Sequence, residues 1–520
     1  MRLPQHERIS ILLALVAGAG TVFAFAPFAV SFLPVVTLGA LFYLWQFASP
    51  GTAARTGLAF GAGLFGAGVS WVYVALNTFG GMPAILAAIG TAGFCAYLAL
   101  FPAAAGWAAT RWTSPGSWPR MLTAATAWPL TEWARSFFFG GFPWLGVGYA
   151  QLPRTGPGVL AGYAPVGGVW LVSLAVSIMA AVLAYAAHAL AATPGTQSRR
   201  PIVIAAAIAL LVAGGGAALQ GIAWTAPSGA PLTVSLVQGN VTQDLKFDAS
   251  FRDDTFRRYI TMARASRGRL VVLPESALPA FADEVPDAVF RELLQVANAR
   301  NGAVLTGVFT AEPPLAGAPS PRYYNSVVSL DAGEPQRYRK RHLVPFGETI
   351  PLEPIVGWFM RSVLAIPLAN QSAGDDRQPA FALVGQKVAV NICYEDVFGP
   401  DIRSQATEAT LLVNVTNDAW YAHSLAAEQH NQIAAMRALE TGRPLLRATN
   451  TGITSAIDHD GREMARLPWF TRDTLEVTVT GRQGITPYVR WGDALPVAVG
   501  LALFCTGLGC ARWRRAAAAG

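Results

Sequence analysis

The sequence predicts a multi-pass α-helical membrane domain of about eight spans joined to a soluble α/β domain. Only 13% of the 520 residues are charged and 53% are hydrophobic, whereas roughly a quarter of the residues of a soluble protein are charged. Apolar runs of about 20 residues recur over 9–223, and each is long enough to cross a bilayer as a helix. Short strands and charged helices replace them over 227–489, before a last apolar run at 494–510.

We divide the chain into an N-terminal membrane domain with seven spans over 1–224, a soluble domain over 225–490, and a C-terminal transmembrane helix with its tail over 491–520. The first span is interpreted as a retained helix, because further spans follow at once and no small-residue cleavage site stands out. The fifth is the weakest, since a proline and two charged residues interrupt it between 129 and 135. The predicted spans are 9–27, 32–48, 57–79, 84–108, 121–138, 160–192, 201–223 and 493–511.

Arginines mark alternate loops between these spans. Cytoplasmic loops carry an excess of basic residues, so both termini are predicted to be cytoplasmic and the soluble domain to lie outside the cytoplasm. The net charge of +7 requires no nucleic-acid partner, because these loop arginines supply much of it. The arginines are Arg2, Arg8, Arg55, Arg111, Arg120, Arg199, Arg200, Arg512, Arg514 and Arg515, and the intervening loops contain only Arg154.

Strands and helices are mixed throughout the soluble domain, which predicts a layered α/β sandwich. The predicted helices are 249–266, 287–300 and 425–442. The predicted strands are 232–237, 269–273, 303–309, 326–330, 388–392, 410–415, 445–457 and 474–480.

One cysteine lies where a predicted strand ends. In the segment 387–396, alternating β-branched residues run into Cys393 and two acids, which indicates a buried strand followed by a tight turn. Functional side chains are often placed on such loops. The other cysteines, Cys95, Cys505 and Cys510, fall in or beside apolar spans, where an inert buried cysteine is common. Cys393 has no disulfide partner in the soluble domain, and from composition alone a nucleophile and a buried strand residue both remain open.

Two more polar residues form a constellation with this thiol. Glu275 ends the hydrophobic stretch 271–273, and Lys340 lies in the basic segment 338–348. A glutamate at a strand end is usually a solvated acid and a lysine among arginines is usually a surface charge, so neither is specific alone. Together Glu275, Lys340 and Cys393 supply the carboxylate, ammonium and thiol of a nucleophilic catalyst.

Three ordered motifs carry a resemblance to a known family. The residues LPES at 273–276, the segment 340–348 and NICYE at 391–395 resemble the Glu-Lys-Cys motifs of the nitrilase superfamily. With the flanking spans, HLVPFGE at 342–348 and NDAW at 417–420, the resemblance narrows to the apolipoprotein N-acyltransferase family. It implies that the soluble domain is a nitrilase-like α-β-β-α sandwich.

The resemblance extends to the membrane half and includes one departure. FPWL at 142–145 and GY at 148–149 are similar to that half of the family, so the similarity covers nearly the whole chain. Where the family often has tryptophan in a Leu-Lys-Trp-Asp segment, this chain has Phe247 within 245–248. Phenylalanine keeps an aromatic face but has no indole N–H.

The resemblance implies an enzyme that moves an acyl chain from a membrane phospholipid to the α-amino group of an N-terminal diacylglyceryl-cysteine, the last step of lipoprotein maturation. Cys393 would form a thioester with the acyl chain, and Glu275 would act as general base. Lys340 and the backbone N–H of Tyr394 would stabilise the oxyanion. Such a reaction is ping-pong.

Further residues are assigned supporting roles. Glu348 would orient Lys340 or share proton transfers with Glu275, and Glu395 would fix the turn after the nucleophile, although a structural salt bridge is an alternative for each. The apolar segment 355–368 is interpreted as a flap near the bilayer that admits acyl chains, or as a buried segment. Candidate substrate-binding residues are Trp144, Phe247, Phe346 and Trp420.

Two other functions remain open at this stage, a membrane-tethered nitrilase or amidase hydrolysing small amides and a catalytically silent lipoprotein-binding module. We expect no cofactor and no metal, because the six histidines have no ligand spacing. Surface or capping roles are favoured for His423 and His430. A papain-like pair of Cys393 with His342 would leave Glu275 unexplained. We expect a monomer in the bacterial inner membrane whose partners are a phospholipid donor and an apolipoprotein acceptor, without nucleic acid.

Overall fold

The computed structural model describes residues 5–191, 200–246, 248–314, 321–345, 347–349 and 371–519. The chain folds into two compact units. One comprises Met1–Tyr73, Ile85–Ala223 and Trp491–Gly520, and the other comprises Val74–Ala84 and Trp224–Arg490. Phe247, Phe346 and the predicted flap 355–368 lie outside the described residues.

Helices are present at all eight positions where spans are predicted. Among the described residues, five helices are long and apolar enough to cross a membrane, and a pair bent by 57° between Pro50–Gly68 and Val72–Phe79 raises the number to six. Length and composition therefore support five or six of the eight spans. The helices are α1 (Gln5–Thr21), α2 (Leu33–Trp45), α3 (Pro50–Gly68), α4 (Ala84–Arg111), α5 (Trp118–Ala134), α6 (Ala164–Ala191), α7 (Arg200–Gln220) and the C-terminal helix Ala494–Ala519.

The charged residues that interrupt the fifth predicted span bind the loop that follows it. The Glu132 carboxylate accepts hydrogen bonds from the Trp128 indole at 2.9 Å and from the Val147 backbone N–H at 3.0 Å. Arg135 donates to the carbonyl oxygens of Phe142 and Trp144, both at 2.6 Å. Buried charges are stable only when they have polar partners. These hydrogen bonds therefore hold α5 to the loop that follows it.

The first sheet of the second unit has the strand order β13-β1-β2-β4-β5-β6, with β3 beside β4. Helices α8 (Arg252–Ala265) and α9 (Asp287–Asn298) cover it with an apolar face that includes Tyr259 and Leu293. The strands are β1 (Ala226–Gln238), β2 (Leu270–Val272), β3 (Leu278–Phe281), β4 (Ala303–Glu312), β5 (Arg322–Leu330), β6 (Arg337–Arg339) and β13 (Asp473–Gln483).

The second sheet has the order β12-β11-β10-β9-β8-β7. Helices α10 (Gly399–Ala406) and α11 (Leu425–Thr441) pack beside its strands. Strands β8, β9 and β10 are parallel, so their carboxyl ends meet at one edge of the sheet. The strands are β7 (Phe381–Leu383), β8 (Gln386–Ile392), β9 (Leu411–Thr416), β10 (Leu445–Thr449), β11 (Ser455–Ile457) and β12 (Glu463–Arg466).

The two sheets pack through β1 and β10, and the backbone N–H of Asn240 donates to the Asn450 carbonyl at 2.9 Å. This arrangement confirms the predicted α-β-β-α sandwich. The single strand predicted over 445–457 is wrong, because the chain turns after Thr449 and returns antiparallel as β11. The turn contains Asn450 and Gly452, residue types that favour turns.

One glycine on β4 determines how closely the sheet approaches the loop after β2. A methyl group on Gly307 would lie 2.4 Å from the Ser276 nitrogen and 2.7 Å from the Pro274 carbonyl oxygen. Real carbon atoms do not approach backbone atoms this closely, so either the strand or the loop would have to move. Gly307 thus allows the segment that carries Glu275 to lie directly on the sheet.

We predict that Gly307→Ala destabilises the protein by about 1–3 kcal/mol, the usual cost of overpacking a rigid site. The midpoint of thermal unfolding, measured in detergent, should fall by several degrees. Gly333→Ala is the matched control, because its nearest neighbour is the side chain of Asp331, which can rotate away. Equal midpoints for the two variants would contradict the proposed close approach.

Candidate active site

The three residues of the predicted constellation all lie at strand ends. Cys393 directly follows β8, Lys340 directly follows β6, and Glu275 follows β2 after two residues. All are buried, with exposures of 8%, 1% and 7%. Cys393 has a φ of +52°, in the left-handed region that a non-glycine residue seldom occupies. Such strain persists only where the surrounding structure holds it, so the position of the thiol is strongly determined.

The Lys340 ammonium lies between two carboxylates. Its Nζ is 2.8 Å from Glu348 Oε1 and 3.8 Å from Glu275 Oε1. The Asn325 side chain donates to the same Glu275 oxygen at 2.7 Å. Burial by itself would lower the pKa of Lys340, but Glu348 and Glu275 raise it above its ordinary value. The ammonium is therefore charged at neutral pH.

The thiol is protonated in the resting site. Burial and the neighbouring Glu275 carboxylate raise the pKa of Cys393 above its ordinary value, while Lys340 acts in the opposite direction. Glu275 and Lys340 therefore both act electrostatically on the sulfur, in opposite directions. A protonated thiol is a weak nucleophile, so a nucleophilic role for Cys393 would require a base that removes its proton.

Glu395 joins the turn after the nucleophile to the segment that carries Lys340. Its carboxylate accepts from the backbone N–H of Ile392 at 2.6 Å and of Arg341 at 2.7 Å. The Tyr338 hydroxyl also donates to it at 2.9 Å. Burial raises the pKa of Glu395 to about 7, and the backbone donors oppose this effect. Its supporting role remains a prediction, as do those of Glu348 and Tyr394.

The candidate substrate-binding residues are distributed differently. Trp144 is buried in the first unit, where its ring stacks on Phe142 with centroids 5.7 Å apart. Trp420 follows β9 in the second unit and is 38% exposed. Its ring packs edge-on against the ring of Phe79, with centroids 6.1 Å apart. Their roles as substrate contacts remain predictions.

A buried cluster of four ionisable residues lies behind the nucleophile's turn. Arg447 of β10 donates to Asp396 at 2.7 Å and to Asp418 at 3.1 Å. His430 of α11 lies between the same carboxylates, with Nε2 at 2.7 Å from Asp396 and Nδ1 at 3.0 Å from Asp418. Burial alone would raise the pKa of Asp418, but His430 and Arg447 lower it to about 2.

This cluster is connected to the nucleophile through one amide. Arg447 donates to Asn414 Oδ1 at 3.1 Å, and Asn414 Nδ2 donates to the Cys393 carbonyl oxygen at 3.1 Å. The guanidinium therefore fixes which way the amide faces, and the amide holds the carbonyl of the residue in the left-handed conformation. Four buried ionisable side chains thus support the backbone at the thiol.

The surroundings of His430 and His342 differ from those expected of surface or catalytic histidines. The surface or capping role favoured for His430 is wrong, because the side chain is 2% exposed and bonded at both ring nitrogens. Helix periodicity could not reveal this, since the carboxylates come from distant strand ends. His342 stacks on Phe398 with centroids 3.5 Å apart, and its Nδ1 lies 3.4 Å from Asp401. These contacts give no support to a papain-like pair.

Sequence reasoning also missed Asn325 and Lys246. Both bind Glu275, through its carboxylate and its backbone carbonyl respectively. The segment 245–248 was noted for its aromatic residue Phe247, although the neighbouring Lys246 belongs to the same motif. Within the described part of the chain, no group of His, Cys, Asp and Glu side chains has an arrangement that could hold a metal ion.

We predict that Arg447→Met destabilises the protein by about 3–5 kcal/mol, because two buried carboxylates would lose their cation. The midpoint of chemical unfolding in detergent measures the loss. Arg462→Met is the control, since this arginine forms an exposed pair with Asp460 and is 59% exposed. Such a pair contributes about 0–1 kcal/mol, and equal losses in the two variants would show that the cluster is not needed for stability.

Two family profiles match different parts of the chain. The family profile of carbon-nitrogen hydrolases matches residues 217–486, and the profile of the apolipoprotein N-acyltransferase N-terminal domain matches residues 17–182. Among solved structures, a carbon-nitrogen hydrolase from Helicobacter pylori is similar over 48% of this chain and 88% of its own, with 15% identity and a TM-score of 0.35.

Curated relatives match along nearly their whole length. A protein of Nitrosomonas europaea named apolipoprotein N-acyltransferase is 45% identical and covers 97% of this chain and 98% of its own. Proteins with the same name from Methylococcus capsulatus and Chromobacterium violaceum are 43% and 40% identical, and they cover 97% and 98% of this chain and 97% and 96% of their own. The chain therefore belongs to the apolipoprotein N-acyltransferase family.

Proposed function

We propose that this protein is an apolipoprotein N-acyltransferase that takes an acyl chain from a membrane phospholipid. It transfers the chain through a Cys393 thioester to the α-amino group of the N-terminal diacylglyceryl-cysteine of an apolipoprotein. The observation that carries the proposal is the pairing of two features in one chain. A buried Glu275–Lys340–Cys393 site accompanies a membrane half that matches the family's own N-terminal domain.

In the first half-reaction Cys393 attacks the carbonyl carbon of the phospholipid ester. Glu275 accepts the thiol proton as the C–S bond forms. The negative charge on the carbonyl oxygen is stabilised by the Lys340 ammonium and the Tyr394 backbone N–H. Collapse of the tetrahedral intermediate breaks the ester C–O bond, and Glu275 returns the proton to the departing lysophospholipid oxygen.

In the second half-reaction the acceptor amine attacks the thioester carbonyl. Glu275 takes a proton from the attacking nitrogen, the C–N bond forms, and the C–S bond breaks. The sulfur leaves as a thiolate next to Lys340 and regains its proton from Glu275. One carboxylate therefore serves both half-reactions of this ping-pong transfer.

The high pKa of the resting thiol suits this sequence of steps. Burial and Glu275 keep Cys393 protonated, so the sulfur becomes nucleophilic only as its proton moves to Glu275. The same burial limits the access of water to the thioester. Glu348 holds Lys340 by its ion pair at 2.8 Å, which keeps the ammonium charged and leaves the Glu275 carboxylate able to accept a proton.

We further propose that the protein resides in the bacterial inner membrane, with both termini cytoplasmic and the second unit in the periplasm. The support is the alternation of arginine-rich loops and the positive-inside rule. The phospholipid and the apolipoprotein are its substrates, and a monomer suffices. A nitrilase or amidase could use the same three residues, but the match of residues 17–182 to the family's membrane domain favours a lipid donor.

We predict that the purified protein, incubated with a phospholipid, gains the mass of one acyl chain on the peptide that contains Cys393. Adding a diacylglyceryl lipopeptide with a free amine should discharge the chain to the peptide faster than water removes it. Cys393→Ser should abolish transfer, and Glu275→Gln and Lys340→Met should lower the acylation rate by at least about 100-fold.

Lys387→Gln is the matched control for these variants, because Lys387 is an exposed residue of the strand that ends at Cys393. It should retain full activity. Undiminished transfer by Cys393→Ser would refute the thioester, and discharge mainly to water would favour a hydrolase.

We predict that a cysteine introduced as Glu334→Cys is labelled in intact spheroplasts by a membrane-impermeant maleimide. Glu334 is exposed in the second unit, which the proposed topology places in the periplasm. Pro115→Cys, in a loop beside the basic residues Arg111 and Arg120, should react only after the membrane is opened. The reverse pattern of labelling would place the second unit in the cytoplasm.

A further inference from the structure

The chain uses lysine at very few positions. Only three of its 38 basic residues are lysines, namely Lys246, Lys340 and Lys387. Lys387 is exposed, whereas Lys246 and Lys340 are buried with exposures of 2% and 1%. Fully buried lysines are rare unless they are paired, so two of them at one glutamate require an explanation.

Both buried lysines contact Glu275, but from opposite ends of the residue. Lys340 faces its carboxylate, and the Nζ of Lys246 donates to its backbone carbonyl oxygen at 2.9 Å. Lys246 is the last residue of the short helix Gln243–Lys246, and Glu275 follows β2. The hydrogen bond therefore ties the segment before α8 to the strand end that carries the base.

The two ammonium groups differ in their partners. Lys340 has Glu348 at 2.8 Å. Within the described residues, no carboxylate oxygen lies within 4.0 Å of Lys246, and its contact is with a neutral carbonyl. The nearby Asp248 is exposed and binds Ser250 at 2.7 Å. Among the side chains that the structure describes, none supplies Lys246 with an adjacent anion, and the lysine itself is buried.

The charged groups that act on Lys246 are those of the active site. Burial lowers the pKa of Lys246 to about 8, and the Glu275 carboxylate and the Cys393 sulfur act in the opposite direction. By reciprocity, a protonated Lys246 favours negative charge on both groups. Burying an ammonium without a carboxylate partner costs free energy. A neutral donor could make the same hydrogen bond to the Glu275 carbonyl at a lower cost, so holding the backbone does not by itself explain a lysine here.

We propose that Lys246 is a positioning residue whose ammonium adds a second positive charge beside Cys393 and Glu275, and whose hydrogen bond holds the strand end of the base. This inference rests on the proposed function only in naming these groups as nucleophile and base. The charge lowers the free energy of the thiolate that forms during attack and leaves during discharge. Below pH 8 the ammonium contributes this effect, and the effect disappears as the amine loses its proton.

The test compares the wild type with Lys246→Gln and Lys246→Met by the rate at which iodoacetamide alkylates Cys393 between pH 6 and 10. Peptide mass spectrometry separates Cys393 from the other cysteines. Glutamine retains an N–H donor for the carbonyl but removes the charge, and methionine removes both. At pH 7 we expect both variants to react about tenfold more slowly than the wild type, equivalent to a rise of one unit in the thiol pKa.

The pH dependence separates an electrostatic effect from a structural one. The ratio of wild-type to Lys246→Gln rates should fall towards one above pH 9, because the wild-type amine is then neutral too. A rate ratio that is independent of pH, or a Lys246→Gln variant that reacts like the wild type, would overturn the proposal.

Two controls complete the design. Lys387→Gln removes the exposed lysine of β8 and should leave the alkylation profile unchanged. The thermal midpoint of Lys246→Gln should stay within a few degrees of the wild type, so that a slow rate is not attributed to unfolding. The assay uses neither phospholipid nor lipoprotein, so its outcome does not depend on whether acyl transfer is found.

Discussion

The ion pair of Lys340 with Glu348 and Glu275 is the interaction on which the active site depends. A buried ammonium is costly unless carboxylates surround it, and here one carboxylate lies at 2.8 Å and the other at 3.8 Å. Glu348, the nearer carboxylate, is the main partner of the lysine, while Glu275 is held both by Lys340 and by the Asn325 side chain, which donates to it at 2.7 Å.

Two sets of buried polar contacts support this site, one made by Glu395 and one by Arg447. Glu395 connects the turn after Cys393 to the segment of Lys340, so nucleophile and cation keep one relative position. Behind the turn, Arg447 balances Asp396 and Asp418 and orients Asn414 towards the Cys393 carbonyl. Both sets of contacts restrain the backbone, because they end on main-chain groups. The strained conformation at Cys393 is therefore maintained by buried charge, in a region where replacement of one partner leaves another uncompensated.

Much of the architecture follows from local patterns. The long apolar runs predict the positions of all eight membrane-unit helices, and the period-2 runs predict β1, β2, β4, β5, β8, β9 and β13. The short strands β3, β6, β7 and β12, of three or four residues each, are not among the predicted strands, and pairing with neighbouring strands defines them. The hairpin of β10 and β11 was missed because a hydrophobic stretch outweighed the turn residues Asn450 and Gly452. Such errors arise where pairing with neighbours, not local preference, decides the conformation.

The sequence by itself determined the two-part composition, the layered sandwich and the motif residues Glu275, Lys340 and Cys393, because these depend on hydrophobic period and on motifs that are contiguous in the chain. Only the tertiary structure decided which residues surround them. Asn325, Lys246, Arg447 and His430 reach the site from four separate elements, and nothing in their local sequence distinguishes them from surface polar residues. The whole fold buries these side chains close to the active site, and only there do they form its hydrogen bonds and ion pairs.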